Sequence, residues 1–304
     1  MAKSTASKLI DKHVKYCRDW LSRNGDFAKS RGEARIAKFL SQGDFAAAIL
    51  LPSALKTLSL FYGMQGTLAL HDGNDNGWIV VDRSVTYSYW YVMLAAEVTF
   101  KRLQQGERAD SVAPLYHELP VAASLFCFAT VHEHREWRSD IWGMLTNATS
   151  TPGAVISDYW RDQGSYEAFV LRCFDRNSID ATARDLPDSL YQVELGPYGD
   201  VLDAWNDPEQ LVPAMYGICD YHCRNLMQKS GRRDPWPPFT DPPFDLMPYE
   251  ILAINAFRKQ LGLESPTLDH PLLETPLGLH KYHRFTPYSD ETIQRVRELY
   301  ETIK

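Results

Sequence analysis

The 304-residue chain has no glycine-rich phosphate loop, no dinucleotide fingerprint and no G-x-S-x-G nucleophile elbow. The usual sequence marks of nucleotide-dependent enzymes and serine hydrolases are therefore missing. No repeat of fixed period is present either, which leaves a regular solenoid unsupported. Cysteine is sparse and odd in number: Cys17, Cys127, Cys173, Cys219 and Cys223 cannot all pair within one chain. Most fall in apolar helical contexts, where a free thiol behaves as a small hydrophobe, and this usage fits a reducing compartment. Met1 to Lys8 lacks the apolar core of a secretory signal, so the expected location is the cytoplasm. A basic excess is lacking too. With 32 Lys/Arg against 39 Asp/Glu the net charge is −7, which disfavours direct nucleic-acid binding.

What is present suits a globular protein: 44% hydrophobic, 23% charged and 12% aromatic residues. A body of this size buries roughly 75% of its unfolded surface and needs no disulfide staples. The longest apolar tract, Phe45 to Leu70, is long enough to raise a membrane span. It contains Pro52, Lys56, Gln65 and two glycines, so a buried helical hairpin is expected instead. Charge is unevenly placed. Residues 1–40 hold ten Lys/Arg and four Asp/Glu, whereas residues 151–220 hold four Arg and thirteen Asp/Glu. The basic N-terminal helix, with Lys8, Lys12, Lys15, Arg18 and Arg23, wraps its charge around the axis and reads as a solvated face.

Helical spacing dominates the chain. Leu9, Ile10, Val14, Cys17 and Leu21 form a first helix that Asn24 and Gly25 should stop, and a second short helix carries Ile36, Phe39 and Leu40 to Gly43. Pro52 should kink or divide the next. Further helices are expected from about Ser84, over Val121–Thr130, His132–Thr146 and Ser165–Phe174, from Asp207 to about Gln228, and from Ser289 to the end. The stretch 239–279 looks like the organising element, with a helix capped by Asp245, ended by Gly262 and buried through Ile251, Ile254, Phe257 and Leu261. The expected fold is all-α: an irregular bundle of about a dozen helices. Its subdomains, 1–150 and 151–304, should pack into one body, with a soft boundary at Thr146–Gly153.

Candidate chemistry is thin. Asp72, Asn74, Asn76 and Gly77 match half of a calcium loop, but the twelfth position is Arg83 where a bidentate Glu is needed, so a polar turn is expected. His132, Glu133, His134 and Glu136 lack the spacing of four that zinc hydrolases use and read as a polar helix start. Cys219, His222 and Cys223 share a helical turn, yet a structural zinc normally wants four ligands; a buried thiol pair with a satisfied histidine is the simpler reading. His270, beside Pro271, could serve as a base with Glu250 or Asp269, but suits better a histidine tying its segment to the core helix. His280 and His283 read as surface residues. No catalytic residue, metal or cofactor is expected.

Three stretches, LSLFYGMQGTLAL with the W- and Y-rich helix after it, CDYHCRNL, and FDLMPYEILAINAFRKQLGLESPTLDHPLL, resemble helical immunity proteins of bacterial polymorphic-toxin systems. The likeness is to immunity family forty-nine and to helical inhibitors of nuclease effectors, and it covers about half the chain in patches. It implies a non-catalytic cytoplasmic antitoxin that blocks one cognate toxin, with no membrane involvement. It carries over no site residues. The acidic block from Asp158 to Asp220 would complement the basic groove of a nuclease, and Asp200, Asp203, Asp207 and Glu209, beside Tyr198 and Trp205, are the expected partner-binding face. The alternatives are a metal-assisted hydrolase using carboxylates with His222 or His270, and a helical scaffold with several partners.

Overall fold

The computed structural model describes residues 4–43, 45–155, 159–162, 164–177, 186–226, 241–279 and 283–304. The described residues form an all-α bundle of twelve helices and two short 3-10 turns, with no strand among them. Phe239 and Thr240, at the start of the stretch expected to organise the fold, lie outside the described residues, as do Asp158, Gln228 and His280.

The first helix, α1, runs unbroken from Thr5 to Gln42. The Ser4 side chain caps it by accepting from the Ser7 N–H at 3.2 Å, and Gly43 ends it at φ 65°. Asn24 and Gly25 do not stop it, contrary to the sequence expectation. The cost of an internal glycine is about 1 kcal/mol, and here close helix contact offsets it. A side chain at Gly32 would sit 2.7 Å from Leu58 Cδ2 of the second helix, so that glycine is a point of approach. The next two helices, α2 (Phe45–His71) and α3 (Gly77–Gln104), form the most extensive helix pair. Their short connection makes them antiparallel neighbours. α2 passes through Pro52 without ending, and α3 starts earlier than Ser84 because the turn closes at Asn74 and Asn76. α2 is the one described helix long and apolar enough to cross a membrane; most of its apolar residues are buried, packed against α1 and α3.

α4 (Leu119–Val131) is the innermost helix: all of its residues but Pro120 and Val131 are buried. A turn at Glu133, with φ 55°, separates it from α5 (Arg135–Ser150), so the expected helix start at His132 shifts by one turn. Short α6 (Tyr159–Asp162), then α7 (Ser165–Asn177), α8 (Asp188–Tyr191), α9 (Pro197–Asp203) and α10 (Pro208–Asn225) follow. α11 (Tyr249–Gln260) packs on α4 and α7. It buries one face only: Lys259 and Gln260 are exposed, and so is Leu261 just beyond it, which the sequence pattern placed in the core. Gly262 ends it at φ 70°, as expected. α12 (Glu291–Ile303), capped by Asp290, returns to pack on α3 and α1, and Lys101 Nζ donates to the Ile303 carbonyl at 2.7 Å. Buried residues from both halves of the chain therefore join one continuous core.

Candidate functional site

Two regions hold the groups that could act. The first is the elbow between α9 and α10, where Asp200 and Asp203 lie on α9, Asp207 caps α10 and Glu209 follows in its first turn. Asp207 Oδ1 accepts from the backbone N–H of Glu209 at 3.0 Å and of Gln210 at 3.3 Å, so its carboxylate fixes the bend as well as charging it. Asp200, Asp203 and Glu209 are exposed, and no cation among the described residues pairs with any of the four. Tyr198 and Trp205 require a correction. Tyr198 is 0% exposed and stacks on Phe169 with ring centres 4.7 Å apart. Trp205 is 2% exposed beneath the Arg258 guanidinium, which also donates to the Trp205 carbonyl. Both aromatic rings face the core, because the short α9 has too little apolar surface to dock without them. They anchor the elbow from inside and cannot meet a partner.

The second region is a buried polar seam linking α1, residues 241–248, α10 and α11. His13 and Cys17 are four residues apart and so share one face of α1. Residues 242–248 are buried, and their path is set at one end by the Lys56–Asp241 ion pair at 3.0 Å. They pass so close to α2 that a side chain at Gly63 would lie 2.5 Å from the Pro242 carbonyl. Asp245 is thereby aimed at α1, and its Oδ2 lies 2.5 Å from His13 Nε2. Its backbone carbonyl meets His222 Nε2 at 2.8 Å, and His222 Nδ1 meets Glu250 Oε1 at 2.6 Å. Asp245 does not cap α11, whose N-cap is Pro248. Burial opposes charge on His13, but the Asp245 carboxylate, by charge and hydrogen bond, raises its pKa overall. The Leu226 carbonyl beside the ring adds to this without reaching hydrogen-bond geometry. The Cys17 thiol is pushed well up by burial, and then by Asp245, so on its own it stays protonated. His13 Nδ1 and Asp245 Oδ1 are buried and have no hydrogen-bond partner among the described residues.

The other sequence candidates resolve into structural roles. Cys219 and Cys223 lie with His222 on α10, but the His222 ring turns away to Glu250 and Asp245, and the three do not form a ligand set. His270 bonds to Asp220 of α10 at 3.3 Å, not to Glu250 or Asp269, so it ties its segment to α10 rather than α11. His283 is half-buried rather than on the surface: it lies 3.0 Å from both Asp82 oxygens and stacks on Trp78. In the calcium-like turn, Asp72 pairs with Arg18 at 2.6 Å, and Arg83 pairs with Asp290. His134 caps α5 from its side chain, while His132 meets the Tyr249 hydroxyl at 3.3 Å. Burial, then His283 and His134, pushes the His132 pKa down to about 4. Glu167 is a further buried acid; burial pushes it up to about 7, although it accepts from the Tyr159 hydroxyl at 2.7 Å.

Sequence reasoning missed the His13–Cys17–Asp245 group. The spacing of four between His13 and Cys17 was a usable signal, but Asp245 lies 232 residues further on and nothing local joins it to them. No protein-family model, curated protein or solved structure matches the chain.

Proposed function

We propose that this chain is a cytoplasmic immunity protein, which binds one cognate bacterial toxin stoichiometrically and covers its active site. The observation that carries the reading is the elbow. Four carboxylates stand there without a paired cation among the described residues, on a bend held from beneath by two buried aromatic residues, so the charge is presented in a fixed place. Such a face favours a basic surface, and the groove of a nuclease is basic because it must hold phosphates. Exposed carboxylates speed encounter and select the partner more than they add affinity. The patchwise likeness to helical immunity proteins supports the same conclusion.

The test pairs the chain with a toxin encoded beside its gene. Cells making the toxin should survive only when this chain is also made, and the two should elute together as a one-to-one complex. The double variant Asp203→Lys, Glu209→Lys should associate about tenfold more slowly at low ionic strength and nearly normally at high salt. A toxin that kills regardless sinks the immunity reading. A double variant that associates at the normal rate removes the elbow alone.

A further inference from the structure

From the seam geometry we infer that His13, Cys17 and Asp245 form a binding site for a zinc-like divalent transition-metal ion that ties α1 to the 241–248 segment. One donor atom from each residue lies within 4.8 Å of the others, and all three residues are buried. Nitrogen, sulfur and oxygen donors together suit zinc and its late first-row neighbours better than calcium or magnesium, which take oxygen alone. Ligands on a tetrahedral zinc stand about 3.3–3.6 Å apart. Cys17 Sγ and His13 Nε2, at 3.7 Å, are already close to that spacing. His13 Nε2 and Asp245 Oδ2, at 2.5 Å, are at hydrogen-bond distance and must open by roughly 0.8 Å to admit an ion.

A further observation points to a ligand. Asp245 Oδ1 is buried without a partner, an unusual waste of a carboxylate oxygen, and is available as a second oxygen to the ion. With a metal on His13 Nε2 the ring N–H sits on Nδ1, where the nearby Leu226 carbonyl is an acceptor. On binding, the Cys17 thiol proton leaves to solvent and the hydrogen that His13 Nε2 shares with Asp245 moves to Nδ1, so that thiolate, Nε2 and carboxylate are all free to hold the ion. Donors this buried suit a structural ion, not one that meets substrate. The inference is independent of the toxin reading.

Cobalt(II) is the probe, because tetrahedral thiolate sites give it visible ligand-field bands and a near-ultraviolet thiolate-to-metal band. Metal-free full-length protein titrated with cobalt should show both, saturating at one equivalent, and zinc should then displace the cobalt. Cys17→Ala should abolish the thiolate band and weaken binding about 100-fold or more, since even losses behind the ligands cost 10–100-fold. The double variant Cys219→Ala, Cys223→Ala should keep band and stoichiometry. Cys17→Ala removes only a small buried group, and its metal-free melting temperature checks that it folds. Zinc should raise the melting temperature of the parent chain but not of Cys17→Ala. Absence of a one-equivalent thiolate band in the parent overturns the proposal, as does a band that survives in Cys17→Ala.

Discussion

The elbow and the seam use the same functional group in opposite ways. In the seam, Asp245 and Glu250 are buried and each carboxylate is matched to a histidine within 2.6 Å. On the elbow, Asp200, Asp203 and Glu209 are exposed, with no matching cation among the described residues. A buried charge is tolerable only when paired, whereas an exposed one adds little to stability and much to the field around the molecule. The seam therefore belongs to the fold and the elbow to the field around the molecule, even though both are written in Asp and Glu.

Breaking the seam should cost most. Asp245→Ala leaves His13 buried without its counter-charge and should lower unfolding stability in urea by about 3–5 kcal/mol. A loss below about 1 kcal/mol would erase the contrast. Glu167 sharpens it from another side, because this buried acid is matched to a tyrosine hydroxyl instead of a histidine. Its carboxyl is raised from 4.5 to about 7 in the fold, so between those values the folded state keeps a proton that the unfolded chain releases. Its contribution is complete below about pH 4.5 and is lost as pH rises through 7. Urea midpoints of Glu167→Gln should decline less from pH 5 to 8 than those of the parent chain, the difference reaching about 3 kcal/mol at most.

His132 gives the mirror image. Its pKa is depressed from 6.5 to about 4, so its share of stability is present above 6.5 and is lost as pH falls through 4. His132→Gln should flatten the acid limb by about 2 kcal/mol, read from thermal melts between pH 4 and 7. The smallest effect belongs to the elbow: Asp203→Lys with Glu209→Lys should shift unfolding stability by no more than about 0.5 kcal/mol while it slows toxin association. A large loss of stability there would make these carboxylates part of the fold.

Much of the fold was legible because local rules agreed with tertiary structure. Asp207 and Asp290 cap α10 and α12, and Gly262 closes α11. The misreadings share a physical origin. Asn24 and Gly25 look like a stop signal locally, but α1 runs on because α2 packs closely against it at Gly25 and Gly32. Trp205 and Tyr198 look like interface residues in an acidic stretch, but the short helices around them need their rings for packing. Asp245 looks like a helix cap four residues before α11, until the remote α1 claims its carboxylate. Acidity of the elbow was plain from composition. Contacts spanning two hundred residues leave no trace in a window of ten.

The unbroken α1, roughly 57 Å long at 1.5 Å per residue, also sets a timetable for the growing chain. Its face through Ile10, His13 and Cys17 waits for α10 and for Asp245, which emerges 232 residues after His13. At 5–20 residues per second, that wait on the ribosome lasts roughly 10–50 s. Throughout it, α2 can shelter only part of α1. Chains stalled before Asp245 therefore expose that face of α1, and the first helix reaches its final packing only after Asp245 and α12 have emerged.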